Sequence, residues 1–217
     1  MVADPTRTAA PDSGSEPEAG DRAGGDAEPL ALFPLHTVLL PGAAMGVRVF
    51  EPRYLQLVSD CSRHGRGFGV CLILEGEETG APALPASMGT EALIEDFGLG
   101  EEGLLTLRIR GARRFRVQQV RVCDSGLQRA EVHWCASDSP QPVSPEHGLL
   151  VTLLERLLDQ VGGEHAKAHR ACFDDAAWVG WRLAELLPLQ DRQRLQLLEL
   201  DDPDRRLDHL VMLLPDL

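Results

Sequence analysis

Leu32-Phe33-Pro34-Leu35-His36-Thr37-Val38-Leu39-Leu40 runs into Pro41-Gly42, and Met45-Gly46-Val47-Arg48-Val49-Phe50 then leads into Glu51-Pro52-Arg53-Tyr54. The reading of this stretch decides the fold. Its first nine residues read as a strand region, Pro41-Gly42 as the turn that closes it, and Met45–Phe50 as a second strand. Pro52 suits the first turn of a helix, where a missing N–H costs nothing. Leu55 and Val58 give that helix, which should run to about Arg63, an apolar face.

Downstream the β pattern continues. Phe68-Gly69-Val70-Cys71-Leu72-Ile73-Leu74 is a nearly unbroken apolar run of strand length, suited to a strand covered on both faces. Residues 75–87, rich in Gly, Pro and acids, read as a loop, and Gly89–Phe97 as a strand. In Leu104–Val117, Leu105, Leu107 and Ile109 alternate with Thr106, Arg108 and Arg110, which predicts one buried and one polar face. Gly111 interrupts that run and suggests a bulge or turn. Phe115, Val117 and Val120 extend the apolar set, and Ala130–Cys135 is a last strand. The Ser/Pro-rich stretch Ser137–Pro145 then breaks the pattern.

Beyond it the period changes. Leu150, Leu153, Leu154, Leu157, Leu158 and Val161 follow helical spacing, and Gly162-Gly163 stops that helix. Asp174 or Asp175 can cap a second helix that buries Val179, Leu183, Leu186 and Leu187 and ends at Pro188. Asp191 opens a third, through Leu200. Asp202-Pro203, a cap followed by a first-turn proline, opens a last helix burying Leu207, Leu210, Val211 and Leu214. The expected fold class is α+β. A β-rich domain occupies 29–137, a linker 138–145 and a small helical bundle 146–217.

The 217 residues carry a net charge of −13. Residues 1–28 hold seven acids, two arginines and almost no large apolar side chain, so they cannot offset their ordering entropy and read as a disordered acidic tail. An acidic surface repels phosphate backbones and weighs against nonspecific nucleic-acid binding. Five cysteines, no C-x-x-C pair, no apolar leader and no long apolar run point to free thiols in a cytoplasmic protein, with no membrane span.

Catalytic patterns are missing. There is no G-x-x-x-x-G-K-[ST], no G-x-S-x-G and no H-E-x-x-H. The one lysine, Lys167, has no serine at a spacing that suggests a dyad. His165 and His169 stand four apart in a polar stretch and read as solvent-exposed. Cys61 with His64, and His133 with Cys135, lack a second pair at zinc spacing, so neither a metal nor another cofactor is expected. Trp178 and Trp181 read as packing side chains between the two halves. The arginines Arg108, Arg110, Arg113, Arg114, Arg116 and Arg121 are the notable positive cluster. They read either as a grip for RNA or an acidic partner, or as strand arginines paired with nearby acids. Phe115 is the one ring among them, too little for a stacking platform.

Taken in order, several segments resemble one family. Leu32-Phe33-Pro34-Leu35, Val38-Leu39-Leu40-Pro41-Gly42 and Phe50-Glu51-Pro52-Arg53-Tyr54 resemble the opening signature of the Lon N-terminal, substrate-binding domain. Phe68-Gly69-Val70, Met88-Gly89-Thr90 and Arg110-Gly111-x-x-Arg114-Phe115 follow in the family's order. Leu186-Leu187-Pro188, Leu197-Leu198-Glu199 and Arg205-Arg206-Leu207 resemble its helical end, although Arg194-Leu195 stands where the family often has Lys-Gln. The resemblance implies a PUA-like β-barrel followed by a helical bundle, as in stand-alone bacterial proteins of this type, without the Lon ATPase or protease. It implies a non-catalytic module for unfolded polypeptide or a protein partner, linked to proteolysis or quality control. The alternative is an RNA-binding PUA-like protein using Arg108–Arg121. The residues nominated for binding are Arg53, Tyr54, Arg110, Arg114 and Phe115. Structural duties are open to the same signature. Glu51 can cap the helix and pair with an arginine, and Gly111 permits a backbone approach that a β-carbon would obstruct.

Overall fold

The computed structural model of the chain describes residues 29–100 and 103–214. The tail expected at 1–28 lies outside the described residues. Among those described, six strands come first in the chain, β1 (Leu30–Leu35), β2 (Ala44–Val49), β3 (Phe68–Glu75), β4 (Leu84–Leu99), β5 (Leu105–Val122) and β6 (Gln128–Trp134). Helix α1 (Pro52–His64) lies between β2 and β3, and α2 (Gly148–Val161), α3 (Ala176–Leu186), α4 (Asp191–Glu199) and α5 (Pro203–Leu213) follow the strands.

The strand order is β2-β5-β4-β3-β1-β6, and β6 pairs back onto β5. Strands β5, β4, β3, β1 and β6 therefore close into a ring, while β2 is attached to the first half of β5. Strands β1 and β3 are parallel, and the other pairings are antiparallel. The expected β-barrel followed by helices is the architecture the chain adopts.

The local reasons are those the residues suggest. Strand β3 is buried from Phe68 to Ile73 because both its faces meet core: Phe68 and Val70 pack with Tyr54 and Leu57 of α1, and Leu72 packs under the helices. In β5, Leu107 and Ile109 are buried while Arg108 is exposed. Gly111 does sit at an irregularity. Thr90 pairs with Arg114 and Ala92 with Gly111, so β5 carries one residue more than β4 there. A β-carbon on Gly111 would collide with the Leu40 carbonyl oxygen. Asp175 caps α3 by accepting from the Ala177 N–H, and Asp202 caps α5 by accepting from Asp204 and Arg205. Gly162 and Gly163, both at positive φ, end α2.

Some expectations need correction. The strand read over 32–40 ends at Leu35. Val38, Leu39 and Leu40 are buried without strand pairing, as an apolar plug whose side chains enter both core clusters. The loop read to Ser87 is shorter, because β4 begins at Leu84, opposite Glu75. Val161 and Val211 are 66% and 43% exposed, so the apolar stripes of α2 and α5 are narrower than their sequences suggest. Glu51 pairs with Arg53 but makes no side-chain cap on α1.

The two halves share a core. Val38, Leu40, Ala43, Leu72, Ala86 and Met88 from the β region lie in one cluster with Leu150, Leu154, Val179, Leu183, Leu197, Leu207 and Leu210.

Candidate binding site

The residues nominated from sequence fall in three different environments. Arg53 is buried. It donates to the Gly126 carbonyl at 3.2 Å, pairs with Glu51 at 3.1 Å and lies over the Tyr54 ring. Tyr54 stacks on Phe33 at 4.2 Å between ring centroids, and burial pushes its phenol pKa up. Arg110 donates to the Gly42 carbonyl at 2.8 Å and grips Glu95 and Glu164. Arg114 is buried and donates to the carbonyls of Leu198 (2.9 Å) and Leu200 (3.0 Å) and to Asp138 (3.3 Å), which ties the barrel to the helices. Phe115 has no exposed surface with which to touch a ligand, so its expected binding role gives way to packing. The reason lies across the sheet. A β-carbon on Gly69 or Gly89 would come within 2.7 or 2.5 Å of the Phe115 ring, so these two glycines make room for it.

The arginine cluster resolves toward pairing. Arg108 pairs with Glu95 (3.0 Å) and Glu164 (3.4 Å), Arg113 with Glu91 (3.0 Å), Arg116 with Asp201 (3.0 Å) and Arg121 with Glu131 (3.0 Å). With Arg110 and Arg114, each of the six has a carboxylate partner, and they form no open basic groove. Arg113 also lies 4.0 Å over the Trp134 ring.

A cavity of about 450 Å³ lies where the barrel meets the helices, walled by Trp178, Trp181, Arg114, Asp138 and His165. Its polar groups are mostly spoken for. Trp181 donates to Asp138 at 2.8 Å and carries the Arg206 guanidinium 3.5 Å over its ring, and Arg206 itself pairs with Asp138 at 2.9 Å. The expected packing role of these tryptophans fits this seam. His165 is not the exposed side chain expected. It packs against Trp178 and lies 2.6 Å from the Arg182 guanidinium. Burial lowers its pKa and Arg182 adds to the effect, so a neutral ring accepts from the arginine, which has only donors. No group of three metal-ligating side chains occurs among the described residues.

The second cavity, about 410 Å³, is built differently. Phe33, Leu35, Met45, Val47 and Tyr54 give it an apolar floor, and Thr37, Arg48, Glu51, Glu78 and Thr79 surround it with polar groups. Phe50 stands on its rim 52% exposed. Nearby in the sheet, Phe97 and Leu99 at the end of β4 are 51% and 80% exposed. Tyr54 alone of the nominated residues lines this cleft. Phe50 and Met45, quoted in the opening stretch, were missed as site residues because a strand's alternation does not say which end of it stays uncovered.

The model of the ATP-dependent protease La (LON) substrate-binding domain matches residues 29–216. The chain belongs to this family. Among solved structures of LON-type domains, the Lon N-terminal domain protein from Xanthomonas campestris is 57% identical, with 84% of this chain and 96% of that one covered and a TM-score of 0.73. The N-terminal domain of Mycobacterium avium complex Lon protease is 19% identical, with 84% and 95% covered and a TM-score of 0.61, a likeness of fold. No curated protein sequence matches. Among the described residues of this LON-family chain, no helix is long and apolar enough to cross a membrane.

Proposed function

We propose that this chain is a non-catalytic recognition module that holds unfolded polypeptide in the cleft floored by Tyr54. The observation that carries the reading is that open apolar cleft, with Phe50 half-exposed at its rim, in a family named for substrate binding. Apolar side chains of an unfolded chain find cover there, at about 25 cal/mol per Å² removed from water. The absence of P-loop and nucleophile-elbow patterns supports a role without catalysis. In this reading residues 29–137 bind, 146–217 brace them across 138–145, and the bound chain is passed to proteolysis or quality control in the cytoplasm. RNA is the weaker reading, because Arg108–Arg121 is already paired with acids.

Fluorescence anisotropy with labelled, reduced and carboxymethylated α-lactalbumin tests the proposal. Saturable binding is expected, with native α-lactalbumin failing to compete. Phe50→Asp should weaken binding at least about tenfold, which is 1.4 kcal/mol. Absence of saturable binding, or equal competition by the native protein, would overturn it.

A further inference from the structure

Two stretches beside the first part of β5 lack a neighbour on their other side among the described residues. One is the outer half of β4, since β3 begins at Phe68, opposite Ala92, and leaves residues 93–99 beyond its reach. The other is β2, which pairs with β5 alone among the described residues. An unpaired edge is a template for another strand, and folded proteins blunt such edges with bulges and local caps.

The outer β4 edge is blunted in both ways. Its register shifts between Ile94 and Asp96, a bulge, and the Asp96 carboxylate accepts the Phe97 N–H at 2.8 Å. Strand β2 has neither device. Its register with β5 is unbroken from Ala44 to Val49. Gly111 donates to the Ala43 carbonyl at 2.9 Å, which sets the phase of the ladder. By the alternation of an antiparallel pair, Met45, Val47 and Val49 exchange hydrogen bonds with β5, and the N–H and C=O groups of Ala44, Gly46 and Arg48 point away from it. None of those groups bonds another element among the described residues. A β-carbon at Gly46 would meet only the Leu107 oxygen at 4.0 Å, so the face of the strand is uncrowded there.

The same strand forms one wall of the Tyr54 cleft, through Met45, Gly46, Val47 and Arg48. Arg48 has no ion-pair partner among the described residues, in contrast to all six arginines of Arg108–Arg121. We propose that polypeptide binds by adding a strand to the free edge of β2, with alternate apolar side chains in the cleft and an acidic side chain against Arg48. This rests on the reading of the cleft as a polypeptide site and names its mode. An extended segment supplies the two things the edge lacks, a row of backbone partners and a carboxylate. A second copy of this chain fits less well. Pairing β2 with β2 offers Arg48 no carboxylate from Ala44–Val49 and joins two bodies that each carry −13.

The test uses the full chain with carboxymethylated α-lactalbumin as probe. Residue-resolved amide exchange by NMR should show Ala44, Gly46 and Arg48 slowing at least about tenfold on saturation. Met45 and Val47, already bonded to β5, should change little. Gly46→Pro removes an edge N–H without removing a bond to β5, and Arg48→Glu reverses the charge. Each should weaken probe binding about tenfold or more. If the probe binds as tightly to both variants and the edge amides do not slow, strand addition falls while the cleft reading stands. If wild type binds no probe, both fall. Edge protection that grows with protein concentration in the absence of probe, with a dimer in sedimentation velocity, would overturn the proposal in favour of a second copy. Should Gly46→Pro fail to fold, amide protection in the wild type and the Arg48→Glu affinity decide the matter.

Discussion

Asp138 lies within a stretch that reads as a linker, yet it takes two cationic side chains and an indole N–H at once, from Arg114, Arg206 and Trp181. Removing one partner of a buried ion pair leaves the other charge uncompensated, at about 3–5 kcal/mol. Asp138→Ala should therefore lower the unfolding free energy read from urea titration by that much, and Asp138→Leu should not recover it, because the buried Arg206 guanidinium keeps no carboxylate partner. An unchanged midpoint would show that Arg114 and Arg206 find other acceptors. Nothing near Asp138 in sequence announces this role, since its partners lie 24, 43 and 68 residues away. Caps were legible for the opposite reason. Asp175 and Asp202 bond amides two or three residues on, so their duty is written locally.

Among elements, periodicity revealed which strands and helices exist, and left open which neighbours they take. The alternation in β5 is plain, but that β2 hangs on it with a bare edge depends on pairings among distant segments. The same limit applied to the charges. Glu164, in the segment after α2, reaches back to Arg108 and Arg110 on β5, and Glu95 on β4 joins them. Hydrogen bonds from Arg110 hold the Glu95 and Glu164 carboxyls below the usual carboxylate range, with Arg108 acting the same way. A carboxyl with a depressed folded pKa adds stability that is present above its unfolded value, about 4.3, and fades as pH falls through the folded one. The melting temperature should therefore drop as pH is lowered from about 5 toward 3. A Glu95→Gln, Glu164→Gln variant should show a smaller drop over that window. Parallel pH curves for the two proteins would refute this account of the bridge.

For the molecule as a whole, the shared cluster has a direct consequence. Without α2–α5, the barrel would expose Leu40, Leu72 and Met88, all now at 6% exposure or less. A fragment of residues 29–137 should bind a dye such as ANS and melt without a cooperative transition, as a state with secondary structure and loose packing does. A sharp thermal transition in that fragment, monitored by near-UV circular dichroism, would show that the barrel needs no cover. The family resemblance had been legible from F-E-P-R-Y and the proline-glycine turn, yet the cleft beside them was not. A pocket is a property of what fails to pack, and sequence patterns report what succeeds.

Ring closure sets a schedule for the newborn chain. Leu30 of β1 pairs with Ala130 of β6, so the barrel stays open until the strand about a hundred residues later has been made. At ~5–20 residues per second, that wait is on the order of 5–20 seconds. Throughout it Leu32, whose cluster is completed by Ala130 of β6, lacks part of its cover, and the helices that cover Leu72 and Met88 arrive later still. On the ribosome, a protein whose proposed task is to hold unfolded chains is for some seconds an unfolded chain of the same kind.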